Sequence, residues 1–163
     1  VLVRHGNIWV SVYPVFANKV VEKELLEGNL SCLNGYKKFK REVKCGESRF
    51  DFQLDFSDVK AFVEVKSVSL VEGSVGKFPD APTKRGVKHL KELIELRQQG
   101  FRTAVIFVSQ RSDARSIISN DEIDPLFGEW LRKANLASVE LYAYNCSVTK
   151  STVSIKHQIP VNI

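Results

Sequence analysis

The stretch RFDFQLDFSDVKAFVEVKSVSL, residues 49–70, predicts two neighbouring antiparallel strands and guides the interpretation of the whole chain. Its first half alternates strictly between apolar and polar side chains, as in a strand with one buried face. With a two-residue turn at residues 57–58, the pairing that keeps one face apolar places Asp51 opposite Glu64, with Lys66 on the same face. The apolar face is expected to comprise Phe50, Phe52, Leu54, Phe56, Val59, Ala61, Val63 and Val65.

Asp51, Glu64 and Lys66 have the composition of a metal-dependent phosphodiesterase site. Two opposed carboxylates repel each other, so their pairing is explained if a divalent cation lies between them. Two hard oxygen donors, completed by phosphate and water, suit Mg²⁺ or Mn²⁺, and Lys66 can orient a water molecule or hold a phosphate. All three residues are therefore predicted to be catalytic, with Asp51 and Glu64 as metal ligands. In this register Glu64→Gln is expected to stabilise the cation-free fold by relieving the repulsion.

A plainer interpretation of these residues is the solvated face of an ordinary sheet. Glu-x-Lys triplets are common, and the chain contains a second one at residues 42–44. The second triplet lacks an acidic residue in register on a preceding strand. That acidic partner is the feature that distinguishes residues 64–66.

The composition is that of a globular protein with a basic surplus. The 163 residues suffice for one domain with its own core, and 44% of them are hydrophobic. No apolar run approaches the roughly 20 residues of a membrane span, and no signal peptide is visible. Cys32, Cys45 and Cys146 are too widely spaced for a disulfide framework or zinc site, so a cytoplasmic protein without a membrane partner is expected. The formal net charge of +5 permits a polyanionic partner.

The order of predicted elements indicates an α/β fold, bordering on α+β, with a mixed central sheet flanked by helices. Thr83 and Asp124 are good N-caps for two of the helices, Pro125 suits a first turn, and Gly28 suits a helix end. A Gly/Pro-rich loop is expected at residues 72–82. The helices are predicted at about 15–27, about 84–98 and from 124, and the strands at about 39–45, 48–56, 60–71, 101–109, 139–144 and 152–161.

The segment VEVKSVSLVEGSVGKFPDAPTKRGVKHLKELIEL, residues 63–96, closely resembles the sugar fermentation stimulation protein A family. The likeness continues in LNGYKKFKREVKCGESRFDF, QRSDA, DEID and IPV, and it covers nearly the whole chain. It implies a PD-(D/E)XK (restriction-endonuclease-like) nuclease core and DNA binding. The acid that matches the motif is Asp51, preceded by Phe50 rather than proline, whereas Pro79–Asp80 follows the Glu-x-Lys triplet and is not the motif.

The resemblance also implies a domain division. Family members carry an additional N-terminal OB-like domain, and residues 1–13 are expected to form only its final hairpin. Residues 14–163 are then the nuclease-like domain. Because the chain contains no methionine, further residues are expected to precede Val1.

Several basic residues are candidates for nucleic-acid binding. The helix at 84–98 follows directly from the Glu-x-Lys strand, so its N-terminal end is expected to open beside the site, where phosphate binding is favourable. The candidates are Lys84, Arg85, Lys88, His89 and, after a later strand, Arg111. The basic and aromatic run YKKFKR, residues 36–41, can grip a backbone and stack bases, or it can be a strand entry with core aromatics and solvated lysines. His89, as a lone histidine on a partly apolar helix, is alternatively structural.

The first helix offers an acid that could complete a metal site. Glu24 projects into the apolar face that Phe16, Ala17 and Val20 begin, and a buried glutamate without a partner is unfavourable. Glu22, on the more polar side, is the rival, and the choice between them stays open.

Two functions follow from these observations. The first is a DNA-binding protein with a nuclease-like fold that hydrolyses phosphodiesters with Mg²⁺. The alternative is a catalytically silent, non-specific DNA-binding regulator, connected to sugar or maltose metabolism by the family resemblance. Neither a lectin-like nor a glycosidase arrangement is visible that would support an enzyme of sugar metabolism, and the pattern leaves the oligomeric state open.

Overall fold

The computed structural model describes residues 2–163 and shows the mixed α/β architecture that the sequence predicts. The three α-helices are α1 (Val15–Glu27), α2 (Lys84–Gln98) and α3 (Pro125–Leu136). The strands are β1 (Leu2–His5), β2 (Ile8–Ser11), β3 (Lys38–Cys45), β4 (Ser48–Asp55), β5 (Lys60–Val68), β6 (Leu70–Glu72), β7 (Val75–Phe78), β8 (Arg102–Ser109), β9 (Ser116–Ser119), β10 (Glu140–Val148), β11 (Val153–Ile159) and β12 (Val161–Asn162). None of the helices in this range is both long and apolar enough to cross a membrane.

A six-stranded mixed sheet forms the centre, in the order β11-β10-β8-β5-β4-β3. Strands β5, β8 and β10 run parallel to one another, and the outer pairs are antiparallel. Helix α1 covers one face, and α2 and α3 cover the other, so that two hydrophobic cores enclose the sheet. Residues 104–108 of β8 are all apolar and buried, as expected for a strand whose two faces are both covered.

The helices begin and end where the sequence predicts. Gly28 ends α1 with a left-handed φ of 68°. The Thr83 hydroxyl accepts a hydrogen bond from Gly86 N at 2.9 Å, and Asp124 Oδ1 accepts one from Phe127 N at 3.0 Å. Asp124 Oδ2 also accepts from Thr83 N at 2.8 Å. One carboxylate thereby joins the N-terminal ends of α2 and α3.

A second sheet, in the order β12-β9-β7-β6, was not predicted. The expected loop at residues 72–82 contains β7, which pairs with β6 across a turn where Gly73 and Ser74 both have positive φ. Strand β9 pairs in parallel with both β7 and β12. These strands have two to four residues each, so tertiary pairing rather than local pattern defines them.

The predicted pairing of β4 with β5 is confirmed over four pairs, from Asp55–Lys60 to Phe52–Val63. The expectation that Phe50 shares a face with Phe52 is wrong. Phe50 packs against Phe62 in the core under α2, whereas Phe52 lies in the core under α1. The alternation breaks at Asp51, where the β4–β5 ladder ends.

The distortion at Asp51 extends to the neighbouring strand. On β3, Glu42 lies between the paired residues Arg41 and Val43 and has a φ of 49°. A positive φ is rare for a side chain larger than glycine. The sheet is therefore locally opened at the point where the predicted site lies.

Residues 2–11 form the predicted hairpin, with β1 and β2 paired from Leu2–Ser11 to His5–Ile8. Ser11 N donates to Gln110 O at 3.1 Å, which ties the hairpin to the end of β8. Assignment of residues 1–13 to the end of an OB-like domain stays a prediction, and Val1 lies outside the described residues.

Candidate functional site

A cavity of about 640 Å³ opens where β4 and β5 separate. Asp51, Glu64 and Lys66 all line it, so the structure brings the three predicted residues to one place. Its lining also includes three cationic residues, Lys19, Arg41 and Arg85. Glu42 and Asp80 line it as well, so the cavity combines four carboxylates with four cationic side chains.

Asp51 is held by hydrogen bonds from two different elements. Its Oδ1 accepts from Asn18 Nδ2 on α1 at 2.6 Å, and its Oδ2 accepts from the backbone N–H of Val65 at 2.7 Å. The carboxylate therefore takes the place that a β4 carbonyl would occupy in a continuous ladder. Burial and the negative charge of Glu64 raise the pKa of Asp51, and the two hydrogen bonds oppose this shift only in part.

Glu64 is only 3% exposed and faces α2. Its Oε1 accepts from Lys66 Nζ at 2.8 Å and lies 2.6 Å from His89 Nδ1. Because a carboxylate can only accept, His89 Nδ1 carries the proton. Burial alone would raise the pKa of Glu64, but the hydrogen bonds and charges of His89 and Lys66 outweigh it and lower the pKa. Its other oxygen, Oε2, is buried without a hydrogen-bond partner among the described residues.

These residues fit a divalent cation. Asp51 and Glu64 supply hard oxygen donors, and the unpaired Oε2 of Glu64 is a buried acceptor whose desolvation a cation would compensate. Within residues 2–163 no group of three histidine, cysteine or acidic side chains is arranged to hold a metal. A cation held by two carboxylates would leave most of its coordination to water and phosphate, as Mg²⁺ prefers.

The basic residues predicted on α2 lie beside a second cavity of about 390 Å³. Lys84, Arg85 and Lys88 are exposed there, and Arg85 lines both cavities. His89 does not fit its predicted contact with nucleic acid, because it is buried and its Nδ1 is directed at Glu64. It is therefore a positioning residue for Glu64, which is the structural alternative that the sequence left open.

Arg111 is the second correction. The structure buries it and pairs its guanidinium with both carboxylate oxygens of Asp113, at 2.8 and 2.7 Å. A third contact runs to Ser69 O at 3.4 Å. With its donors engaged inside the protein, Arg111 is not available to phosphate.

Neither acidic candidate on α1 lines the cavity. Glu22 pairs with Arg41 at 3.0 Å, and Glu24 accepts from Asn29 at 3.0 Å. The helix contributes Asn18 instead, one turn before Glu22, and a pattern of acidic residues does not indicate an asparagine. The periodicity of α1 was the available signal, since residues 18 and 22 share one stripe of the helix.

The structure agrees with the second interpretation of residues 36–41, in which they lead into a strand and their aromatic side chains pack in the core. Tyr36 and Phe39 are partly buried and pack edge-to-face at 6.1 Å, while Lys37 and Lys38 are exposed. Arg41 is the one member of the run that lines the cavity of Asp51 and Glu64.

Comparisons with known proteins agree with this architecture. The family model described as "Sugar fermentation stimulation protein RE domain" matches residues 15–152. A sugar fermentation stimulation protein homolog of Desulforamulus reducens is 46% identical over 99% of this chain and 68% of its own length. A homolog from Caldanaerobacter subterraneus subsp. tengcongensis is 40% identical over 96% of this chain and 68% of its own length. The solved structure of Pyrococcus furiosus SfsA in complex with Ca²⁺ matches with a TM-score of 0.91 and 31% identity, over 97% of this chain and 69% of that one.

Proposed function

The chain belongs to the sugar fermentation stimulation protein family, and from this premise we propose that it binds DNA along its basic cavities and hydrolyses phosphodiesters with a divalent cation. The observation that carries the proposal is the buried, partly unpaired Glu64 carboxylate beside Asp51, in a cavity that Lys19, Arg41 and Arg85 also line. The relative from Pyrococcus furiosus was solved with Ca²⁺, a cation that takes oxygen ligands.

The roles of the residues follow from their contacts. Asp51 and Glu64 would hold Mg²⁺ or Mn²⁺, which supplies charge to the phosphate and lowers the pKa of bound water. Lys66, whose Nζ pairs with Glu64, would orient the attacking water or contact the phosphate. His89 keeps Glu64 ionised and oriented. Lys19, Arg41 and Arg85 neutralise phosphates of the backbone.

The test is a cleavage assay with single-stranded, duplex and branched DNA, with and without Mg²⁺ or Mn²⁺. Wild type should cut only with the divalent cation. Glu64→Gln keeps the shape but removes the charge, and Lys66→Ala removes the ammonium, so both should reduce cleavage by orders of magnitude. Lys44→Ala is the matched control, because Lys44 belongs to the second Glu-x-Lys triplet and is exposed away from the cavity. Full cleavage by Glu64→Gln would contradict the proposal.

A silent DNA-binding module is the second candidate. It is favoured by the ion pair of Glu64 with Lys66 and by its bond to His89, which stabilise the ionised glutamate without any cation. This candidate predicts DNA binding but no cleavage with any divalent ion, and no cation binding at Asp51 and Glu64 by calorimetry. Under it, the regulatory role that the relatives' name suggests is the whole function.

A further inference from the structure

Four exposed apolar residues lie close together in the chain, just before and at the start of α1, and two of them line the Asp51 cavity. We call Val12, Tyr13, Val15 and Phe16 the apolar lip; they are 36% to 50% exposed. Val12 and Val15 line the cavity directly. The Tyr13 and Phe16 rings meet edge-to-face, with their centroids 5.5 Å apart. The amphipathic pattern of α1 predicts that Phe16 is buried, but 36% of it is exposed. Packing in the hydrophobic core therefore does not account for an aromatic residue at this position.

The apolar lip is held in place by the fold. Gln110 Nε2 donates to Tyr13 O at 3.0 Å, and Ser11 N donates to Gln110 O at 3.1 Å. One turn into α1, Asn18 bonds to Asp51. The backbone that carries the two rings is thus anchored near Asp51 before any ligand arrives, which reduces the entropy lost on binding.

The charge around the apolar lip identifies its ligand. Lys19 Nζ lies 5.5 Å from the Phe16 ring centroid and also lines the cavity, as do Arg41 and Arg85. Two exposed aromatic rings bordered by cations suit a ligand with a π-face and a negative backbone. In a duplex the faces of the bases are covered by their neighbours, so only an unpaired base offers such a face.

We propose that Tyr13 and Phe16 form a stacking platform for an unpaired base of a single-stranded nucleic acid whose backbone enters the cavity of Asp51 and Glu64. This inference rests on the proposed nucleic-acid binding and specifies its substrate class. It assigns preference for single strands, or unpaired stretches of duplexes, to residues outside the catalytic group.

The test measures binding, not cleavage, with Ca²⁺ present and Mg²⁺ and Mn²⁺ absent. Oligothymidylate is compared with an abasic strand of the same length, which has the same charge but no bases. Wild type should bind oligothymidylate more tightly by roughly 5- to 150-fold, the contribution of stacking one base. Phe16→Leu keeps an apolar side chain but removes the π-face, so it should abolish most of this preference and leave the affinity for the abasic strand unchanged.

Trp130→Leu is the matched control. Trp130 also carries lysines over its ring, Lys91 at 4.6 Å and Lys133 at 4.4 Å, but it lies on α3 and does not line the cavity. The Trp130→Leu variant should keep the preference for oligothymidylate over the abasic strand. Thermal melting verifies that Trp130→Leu and Phe16→Leu are both folded.

The possible outcomes separate this inference from the proposed function. Equal affinity of wild type for both strands, or an unchanged preference in Phe16→Leu, would overturn the stacking platform and leave the DNA-binding proposal intact. In that case the apolar lip is a surface for another protein. Failure to bind either strand would overturn the stacking platform, and it would refute the proposed DNA binding only if a duplex of the same length also failed to bind.

Discussion

Asp51 and Glu64 line one cavity, yet their pKa values shift in opposite directions because their partners differ. Burial and the negative charge of Glu64 raise the pKa of Asp51, and its two neutral hydrogen-bond donors oppose this shift only in part. Glu64 is more deeply buried than Asp51, but it has Lys66 and His89 within hydrogen-bond distance. Pairs of carboxyl groups whose environments separate their pKa values are typical of sites with acid–base or metal chemistry.

The sequence predicts that Glu64→Gln stabilises the cation-free fold. The opposite pKa shifts indicate instead that Asp51 is the carboxylate whose charge destabilises it. Asp51→Asn should stabilise the cation-free protein near neutral pH by about 0.2–1 kcal/mol, the range for like charges on neighbouring strands. Asparagine can still accept from Val65 N through its one oxygen, and its amide N–H can donate to Asn18 once the Asn18 amide turns its oxygen towards it. Glu64→Gln should instead destabilise by about 1–3 kcal/mol, because Lys66 loses its charged partner. The measurement is urea unfolding, with Asp58→Asn in the exposed β4–β5 turn as control.

The pH dependence of the two variants provides an independent check. A raised folded-state pKa means that ionised Asp51 opposes folding, so the gain from Asp51→Asn should vanish as the pH falls through that pKa. A lowered folded-state pKa means that ionised Glu64 favours folding above its unfolded pKa. The loss from Glu64→Gln should therefore shrink as the pH falls through the folded pKa of Glu64. If Glu64→Gln stabilises the protein near neutral pH, this account of the two carboxylates is wrong.

The alternation of residues 49–56 and the Glu-x-Lys spacing were enough to predict Asp51, Glu64 and Lys66. They could not predict the partners of these residues. Asn18 lies 33 positions before Asp51, and His89 lies 25 positions after Glu64. Such contacts depend on how the helices cover the sheet, and strand periodicity does not contain that information.

At the scale of elements, Asp124 connects the two helices on one face of the sheet. Its two oxygens accept from Thr83 N and Phe127 N, so it serves α2 and α3 together. Helix α2 in turn carries His89 to Glu64. The geometry of the site therefore depends on a carboxylate that is not part of it.

Asp124→Ala should consequently destabilise the protein by about 1.5–3 kcal/mol, because it leaves two buried backbone donors without their charged acceptor. Thr83→Ala removes only the cap of α2 and should cost about 1 kcal/mol. Thermal or denaturant unfolding of both variants measures the difference. Equal losses would show that Asp124 does not join the two helices energetically.

The helices were predictable because their ends carry specific local signals, such as Thr83, Asp124 and Gly28. Strands β7 and β9 were not, because four residues provide little periodicity. The segment with β7 contains Gly73, Gly76 and Pro79, and these residues favour a loop when they are considered alone. Pairing with β9, 41 positions downstream of Val75 at Ser116, is what makes it a strand.

At the scale of the whole molecule, basic residues are distributed over separate regions of the surface. Lys84 and Arg85 lie at the start of α2 beside the two adjoining cavities. Lys37 and Lys38 lie at the start of β3, beside the C-terminal end of α1. The net charge of +5 alone does not indicate which region faces DNA.

The salt dependence of DNA affinity distinguishes these regions. Exchanging Lys84 and Arg85 together for alanine should reduce the slope of log affinity against log salt by about 2, since each phosphate contact on duplex DNA contributes about 0.9. The matched double variant at Lys37 and Lys38 should leave the slope unchanged. Binding can be measured by fluorescence anisotropy over a series of salt concentrations. If only the Lys37 and Lys38 variant flattens the slope, the DNA lies across β3 instead.

The bond between Asp51 and the Val65 amide bears on how this protein could evolve. Selection would keep an acceptor at position 51 even in a descendant without activity. Alanine there would leave the backbone N–H of Val65 without a hydrogen-bond partner. Persistence of an acceptor at position 51 therefore carries little information about activity, whereas persistence of the charged aspartate does, because asparagine could accept the same bond. Glu64 is held more firmly by the fold, since its Oε1 pairs with Lys66 and His89. If the protein is catalytic as proposed, drift after loss of that activity would appear first as asparagine at position 51, because Glu64→Gln costs about 1–3 kcal/mol.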